Sequence, residues 1–120
     1  INNAHNSEIA YNEIEASDQG IYCYNCDSTD FNYNVIYPGV NAFNSYGIHA
    51  EQSPGSNYIG NQILGFSSQG IYFYNSDVEL NNVSFEDILS EDAINIIKSN
   101  YKIKDVKFKR FVIFGNPTKD

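Results

Sequence analysis

The segment Gly70-Ile71-Tyr72-Phe73-Tyr74-Asn75-Ser76 decides the fold, because related segments recur along the chain about 23 residues apart. The related segments are Gly20-Ile21-Tyr22-Cys23, Gly47-Ile48-His49-Ala50 and Asp92-Ala93-Ile94-Asn95-Ile96. A fixed period of this length is typical of stacked units, each too small to bury its own apolar face. The sequence therefore predicts a solenoid.

A second repeated phrase, apolar-x-x-Asn-x-Ile, supports the same period. Its copies start at Ile9, Phe31, Tyr58, Leu80 and Ile103, and the last two have Val in place of Asn. The one long step, from Phe31 to Tyr58, is explained by an insertion. We place that insertion at residues 37–46, which contain a Pro-Gly pair and are predicted to form a loop.

Within a unit the side chains alternate with a period of two. Ile21 and Cys23 are predicted to point inward, while Tyr22 and Tyr24 point outward. Each unit is thus expected to be a coil of short strands joined by polar turns. Stacked coils would pair in parallel at roughly 4.8 Å, and the length of the chain allows about five coils of 22–23 residues.

These phrases resemble the right-handed parallel β-helix repeat of the pectin-lyase-like superfamily, over residues 9–110. The resemblance implies an all-β solenoid in which like residues form ladders. Asn12, Asn34 and Asn61 look like such a ladder at a turn, with a structural role. We expect one domain over residues 1–120, a fragment of a longer solenoid, in which residues 111–120 cap the end or begin a further coil.

The segment 84–97 has a second interpretation. Phe85, Ile88, Leu89 and Ile96 also fall at helical spacing, and Ser84 with Asp87 resembles a capping box. We favour the coil, because it also aligns Ser99 and Ile103 with their counterparts.

Charge is distributed unevenly. Residues 1–97 carry thirteen acidic residues and no Lys or Arg, while all seven basic residues lie from Lys98 onward. An acidic body argues against a nucleic-acid groove, and no apolar run is long enough to span a membrane. A shift of 23 places Lys102 against Glu79, Lys109 against Glu86 and Arg110 against Asp87. This register explains the basic residues as partners of acids in the neighbouring coil. The alternative explanation is that the basic tail binds a polyanion.

Cys23 and Cys26 form a CxxC pair, which could be a redox pair or half a zinc site. The repeat favours a structural reading. Cys23 occupies the slot of Ala50 and Phe73, so it is expected to be a buried apolar residue. Cys26 occupies the slot of Ser53, Ser76 and Ser99.

The outer face of the Gly-Ile strands is the candidate functional site. We predict as substrate-binding residues Tyr22, Tyr24, Tyr72, Tyr74 and Asn95, because tyrosine rings offer apolar faces with a polar tip that suit sugar rings. His49 and Glu51 lie between them as a candidate catalytic pair, since a carboxylate can orient a histidine for proton transfer. The competing interpretation is that these tyrosines only stabilise the sheet.

The resemblance to pectate lyases and polygalacturonases implies motifs that this chain lacks. No basic residue precedes Lys98, and Gly47-Ile48-His49 is not a Gly-His-Gly. Motifs therefore support no lyase or hydrolase site, and no metal site is predicted. Glu8, Asp27 and Asp30 could bind calcium, which prefers oxygen ligands, but solvated turn acids are the commoner explanation of such residues and the one that we favour.

We therefore expect an extracellular or cell-surface module that binds a polysaccharide. The alternatives are a structural shaft of an adhesin, tail fibre or filament, and a non-catalytic part of a polysaccharide lyase, hydrolase or epimerase. An open solenoid end also predicts association end to end or through strand edges, with itself or with missing coils.

Overall fold

The computed structural model describes residues 1–40, 45–65, 69–87 and 93–109. In these ranges the regular structure consists of short strands, and no helix is present that could cross a membrane. The fold class predicted from the repeat is confirmed.

The strands follow one another in groups of three, and each group forms one coil. The first coil contains β1 (Glu8–Ala10), β2 (Glu13–Ala16) and β3 (Gln19–Tyr24). The second contains β4 (Asp30–Asn32), β5 (Val35–Pro38) and β6 (Tyr46–Glu51). The third contains β7 (Ser56–Ile59), β8 (Gln62–Leu64) and β9 (Gln69–Tyr74). The fourth contains β10 (Val78–Asn81), β11 (Ser84–Glu86) and β12 (Ile94–Ile97), and a fifth begins with β13 (Tyr101–Lys104) and β14 (Lys107–Lys109).

Corresponding strands of successive coils pair in parallel and form three sheets. The first sheet has the order β1-β4-β7-β10-β13, the second β2-β5-β8-β11-β14 and the third β3-β6-β9-β12. The molecule is therefore a parallel β-helix. The expected number of about five coils is slightly high, because the described residues complete four coils and supply two strands of a fifth.

A column of isoleucines runs through the third sheet. Ile21 pairs with Ile48, Ile48 with Ile71, and Ile71 with Ile94. This confirms the alignment predicted from the repeat. The glycine before the isoleucine is required by space: a Cβ on Gly20 would lie 2.2 Å from Ile36 Cγ2. Any larger residue there would force the coil open.

Two local predictions need correction. The helical interpretation of residues 84–97 is wrong at both ends, where β11 and β12 pair with β8 and β9. Hydrogen bonds between coils outweigh the helical spacing of the apolar residues there. Residues 88–92 lie outside the described ranges. The loop predicted at 37–46 is also too wide, since β5 extends to Pro38 and β6 begins at Tyr46. Residues 41–44 of that segment, and the predicted cap at 111–120, likewise lie outside the described ranges.

The asparagine ladder forms as predicted. The backbone N–H and side-chain Nδ2 of Asn12 both donate to Asn34 Oδ1, at 3.1 and 3.0 Å. Asn34 donates in the same way to Asn61 Oδ1, at 3.0 and 3.1 Å. Asn61 Nδ2 in turn donates to the carbonyl oxygen of Phe31 at 2.7 Å. Asn34 and Asn61 are fully buried, so the ladder satisfies backbone groups that water cannot reach.

A parallel ladder of serines includes one of the cysteines. The N–H of Cys26 donates to Ser53 Oγ at 3.0 Å, and the N–H of Ser53 donates to Ser76 Oγ at 3.0 Å. Cys26 thus takes the serine slot, as predicted. Cys23 and Cys26 are both buried and joined by a disulfide. The prediction of Cys23 as a simple apolar filler is therefore wrong, because its sulfur is bonded to that of Cys26, and a structural rather than redox role of the pair stays a prediction.

The register predicted for the charged residues at the basic end is confirmed where it is described. Glu79 pairs with Lys102, and Glu86 with Lys109; Arg110 lies outside the described ranges. Opposite charges directly across neighbouring strands stabilise a sheet by about 0.2–1 kcal/mol each. β13 and β14 are the end strands of their sheets in the described residues, and the predicted end-to-end association stays a prediction.

The ladder of asparagines gives a direct test. In Asn61→Val the new side chain fills the space as Val83 does in the next coil, but it leaves the Asn34 N–H and the Phe31 carbonyl without their partner. Each orphaned buried group costs about 1–3 kcal/mol, so urea denaturation should show a loss of roughly 2–4 kcal/mol. The control Asn12→Val changes an exposed residue, where water replaces the lost bonds, and should cost less than about 1 kcal/mol. Equal losses for the two variants would contradict the ladder.

One core residue carries a polar group that the core does not use. Tyr58 is fully buried, stacked on Phe31 with ring centroids 4.9 Å apart, and its hydroxyl has no hydrogen-bond partner among the described residues. Burial raises the pKa of the Tyr58 phenol far above its usual value. The folded protein therefore keeps this phenol neutral under conditions where the unfolded chain would ionise it.

Tyr58→Phe should therefore change stability mainly at alkaline pH. Because the folded pKa is the higher one, the stabilisation is complete below about pH 10 and is lost as the unfolded phenol ionises above that pH. The variant should match or exceed the wild type by up to about 1 kcal/mol at pH 7 and lose less stability between pH 9 and pH 11. Urea midpoints across that range, with Tyr101→Phe as the exposed control, measure this. A large loss at pH 7 would show that the hydroxyl has a partner.

Candidate functional site

The predicted site residues all lie on the outer face of the third sheet, as the alternation requires. One row, here called the inner row, runs Tyr22, His49, Tyr72, Asn95 across the four strands. The second, the outer row, runs Tyr24, Glu51, Tyr74, Ile97. Because every strand is displaced from the next by one coil, both rows run parallel to the axis of the solenoid.

His49 and Glu51 are in direct contact. His49 Nε2 lies 3.0 Å from Glu51 Oε1, and only 14% of the His49 side chain is exposed. The other ring nitrogen, Nδ1, is buried without a hydrogen-bond partner among the described residues. The pair is assembled as predicted, but neither ring nitrogen is free to face a ligand. Catalysis by His49 and Glu51 stays a prediction.

Three tyrosine rings enclose the imidazole. The ring centroids of Tyr22 and Tyr72 lie 5.0 and 4.8 Å from that of His49, both in T-shaped contacts. Tyr46 completes this tyrosine cage (Tyr22, Tyr46 and Tyr72 around His49) at 5.4 Å. Edge-to-face contacts of this kind contribute about 0.5–1.5 kcal/mol each. The cage therefore holds the inner row in place.

Tyr46 was missed in the sequence because residues 37–46 were interpreted as a loop. The structure pairs Tyr46 with Gln19 on one side and Gln69 on the other. The sequence did contain a signal for Tyr46. It lies directly before a Gly-Ile pair, at the position that Gln19 and Gln69 occupy in the neighbouring coils.

The outer row is the more accessible part of the face. Tyr24 is 38% exposed, and Glu51 lies between Tyr24 and Tyr74 in the register of the sheet. Lys98 Nζ donates to the Tyr74 hydroxyl at 3.4 Å and lies 5.6 Å from the centre of its ring. Asn95 is half-buried at the end of the inner row. The outer row thus offers aromatic rings, hydroxyls and one carboxylate to a ligand.

The Tyr22 hydroxyl stays protonated at neutral pH. Burial, with smaller effects from the Glu51 carboxylate and from Tyr24, raises the pKa of Tyr22 above its usual value. A protonated phenol can both donate and accept hydrogen bonds, so Tyr22 keeps both roles.

The acids considered for calcium do not form one cluster. Glu8 pairs with Asp30 in the first sheet, whereas the Asp27 carboxylate contacts the ring of His5. In the described ranges, no three His, Cys, Asp or Glu side chains come together in a way that could hold a metal ion.

The family to which the chain belongs is decided by a match to a family model. The model described as "Periplasmic copper-binding protein (NosD)" matches residues 1–110. The chain belongs to the NosD family. The description of the NosD family places it in the periplasm, outside the cytoplasmic membrane, which agrees in broad terms with the extracellular location expected from the sequence. The pectin-lyase-like superfamily is not named by the match. No curated protein matches the chain.

The residues of this NosD-family chain do not fit a copper site. Copper is held by imidazole, thiolate or thioether ligands, and the chain has two His, two Cys and no Met. Both Cys are joined in the disulfide, His5 contacts Asp27, and His49 is enclosed by the tyrosine cage. The two His also lie in different coils, so they supply no common site.

The cage predicts which property of His49 matters for the fold. His49→Phe keeps a ring between Tyr22 and Tyr72 and loses the contact with Glu51, so the free energy of unfolding should fall by less than about 1 kcal/mol. His49→Ala removes the ring and leaves a cavity, and should cost about 2–3 kcal/mol. Urea denaturation of both variants shows whether His49 stabilises the fold through the packing of its ring or through its contact with Glu51. An equal, large loss for both would show that the contact with Glu51 is the stabilising one.

Proposed function

We propose that this NosD-family chain is an extracytoplasmic module that binds a polysaccharide along the outer face of the third sheet. Two observations support the location. The family is described as periplasmic, and a disulfide of buried cysteines is typical of proteins from oxidising compartments.

The outer row is the observation that carries the proposal. Tyr24 and Tyr74 lie two coils apart in the register of the sheet, with Glu51 between them, which corresponds to about 9.6 Å at the usual strand spacing. This distance is close to the length of a disaccharide repeat in an extended, β-linked glycan. A glycan lying along the axis would therefore meet a tyrosine ring at every second sugar. Between the two rings, the Glu51 carboxylate would accept hydrogen bonds from sugar hydroxyls.

The cage makes this surface rigid before a ligand arrives. The half-buried Tyr22 and Tyr72 are fixed by His49, and the outer row extends from the same strands. Rigid aromatic side chains lose little conformational entropy on binding, and such preorganisation raises affinity.

The charge of the chain restricts the ligand. Residues 1–97, which carry both rows, contain thirteen acidic residues and no Lys or Arg, so the single Lys98 at the Tyr74 ring is outweighed. An anionic polysaccharide would meet an acidic surface and be repelled. The proposed ligand is therefore a neutral or amine-bearing polysaccharide, and not a uronic-acid polymer such as pectin.

The second candidate is a purely structural shaft, and one observation favours it. The rings of Tyr22, His49 and Tyr72 contact one another edge to face, so much of the inner row is stabilised without a ligand. This candidate predicts that the face binds no glycan.

The test is a glycan array followed by titration calorimetry with the best ligand. Because a tyrosine ring that covers a sugar buries apolar surface worth roughly 25 cal/mol per Å², Tyr24→Ala with Tyr74→Ala should lower the affinity at least about tenfold. The control Tyr101→Ala removes an exposed tyrosine of the first sheet and should leave the affinity unchanged. A wild-type chain that binds no glycan on the array would reject the proposal and leave the structural shaft.

A further inference from the structure

Two tyrosines outside the third sheet adopt a backbone conformation that tyrosine rarely takes. Tyr11 and Tyr33 occupy the turn between the first and second sheets, with φ of 59° and 55°. The same turn position in the later coils holds Gly60, Asn82 and Asp105, which are residues that tolerate left-handed backbone. A bulky side chain there costs on the order of 1–2 kcal/mol. At this turn the first two coils thus carry strain that the later coils avoid.

Burial does not offset this strain. Tyr11 is 77% exposed and Tyr33 is 48% exposed. The two rings stack with centroids 5.3 Å apart and planes 11° from parallel. One stacking contact contributes roughly 0.5–1.5 kcal/mol, which is less than two strained residues cost. Persistent strain at exposed residues is a feature of ligand-binding sites.

The next coil leaves room for this stack. A Cβ on Gly60 would lie 2.4 Å from Cδ1 of Tyr33, so only glycine fits beneath that ring. The Tyr33 ring therefore has Gly60 on one face and Tyr11 on the other, and only its edge is open to solvent. The accessible aromatic surface is concentrated on Tyr11, the first ring of the stack.

The backbone under both rings is fixed by hydrogen bonds between coils. The N–H of Tyr11 donates to the carbonyl oxygen of Asn32 at 3.0 Å, and the N–H of Tyr33 donates to that of Ile59 at 2.8 Å. The residues that follow, Asn12 and Asn34, begin the buried asparagine ladder. The backbone from which the rings project is thus held by hydrogen bonds to the next coil.

We propose that Tyr11 and Tyr33 form a second glycan-binding site, which takes one pyranose ring against the exposed surface of Tyr11. Asn32 links a carboxylate to this turn: its carbonyl oxygen accepts from the Tyr11 N–H at 3.0 Å, and its Nδ2 donates to the exposed Glu8 at 3.1 Å. The Glu8 carboxylate can accept further hydrogen bonds from a sugar hydroxyl or ammonium group. With acids and no basic residue in these coils, the ligand is a neutral or amine-bearing sugar. This site is separate from the third sheet and does not depend on the function proposed for it.

The experiment measures this site in a chain whose third-sheet face is disabled by Tyr24→Ala and Tyr74→Ala. The probes are hexamers of β-1,4-linked N-acetylglucosamine, of β-1,4-linked glucosamine, and of galacturonate as the anionic control. Titration calorimetry should show saturable binding of the first or second hexamer and none of galacturonate. Adding Tyr11→Phe should keep the affinity within about threefold, because the ring remains.

The decisive variant is Tyr11→Asn in the same background. Asn is favoured in left-handed backbone, so the urea midpoint should stay level or rise while the affinity falls at least tenfold. Retained affinity would overturn the proposal, and so would a clear loss of stability, since that would make the tyrosine a structural residue.

The outcomes for the two faces are distinguishable. If Tyr24→Ala with Tyr74→Ala abolishes binding in the otherwise unchanged chain, the second site is rejected and the third sheet stands. If that double variant binds as the wild type does and Tyr11→Asn removes binding, the third-sheet proposal fails and the second site stands. A wild type that binds neither neutral nor amine-bearing hexamer rejects both.

Discussion

The structure depends on one constraint: each residue lies directly beside its counterpart one coil away. Hydrogen bonds between parallel strands fix this register. A position of the repeat therefore accepts only residues whose side chains can lie beside the side chain at the same position of the next coil. Isoleucine satisfies this inside the third sheet, and asparagine satisfies it at the turn because its amide both donates and accepts.

Carboxylates do not satisfy this constraint, since like charges across a pair destabilise a sheet. Glu8 and Asp30 are nevertheless neighbours, and Asn32 and Asn57 each donate to one of them. Asn32 and Asn57 thus make this carboxylate pair tolerable.

The same constraint explains how much could be predicted from the sequence. Inward-facing columns such as Ile21 to Ile94 repeat one residue, so the period alone revealed the solenoid, the asparagine ladder and the face that carries His49. Positions that do not repeat were harder to place. The left-handed turn holds Tyr, Gly, Asn and Asp in different coils, because backbone geometry and not packing decides it, so Tyr11 and Tyr33 gave no periodic signal. Tyr46 was hidden by the five extra residues of the second coil, which displaced the alignment. The disulfide depends on the distance between two sulfur atoms, which the repeat does not encode.

Membership of the NosD family and the chemistry of this chain point to different ligands. The family is described as copper-binding, yet here the disulfide occupies both cysteines, the chain has no methionine, and one of the two histidines is enclosed by tyrosines. What the surface offers instead is aromatic: an outer row of tyrosines on the third sheet and a strained pair at the turn. Both are held by interior ladders rather than by loops. A solenoid is well suited to this arrangement, because its repeat places identical side chains at a regular interval, as a polysaccharide does with its sugars.

The central claim is the in-register stacking of the coils, and nuclear Overhauser contacts between backbone protons test it most directly. In a uniformly labelled sample, we expect contacts between strands to connect Ile21 with Ile48, Ile48 with Ile71 and Ile71 with Ile94, in that order and without skipping a coil. Contacts displaced by one residue, such as Ile48 with Tyr72 in place of Ile71, would turn every outward side chain inward. Such a pattern, or antiparallel contacts between these strands, would contradict the structure and both proposed binding sites.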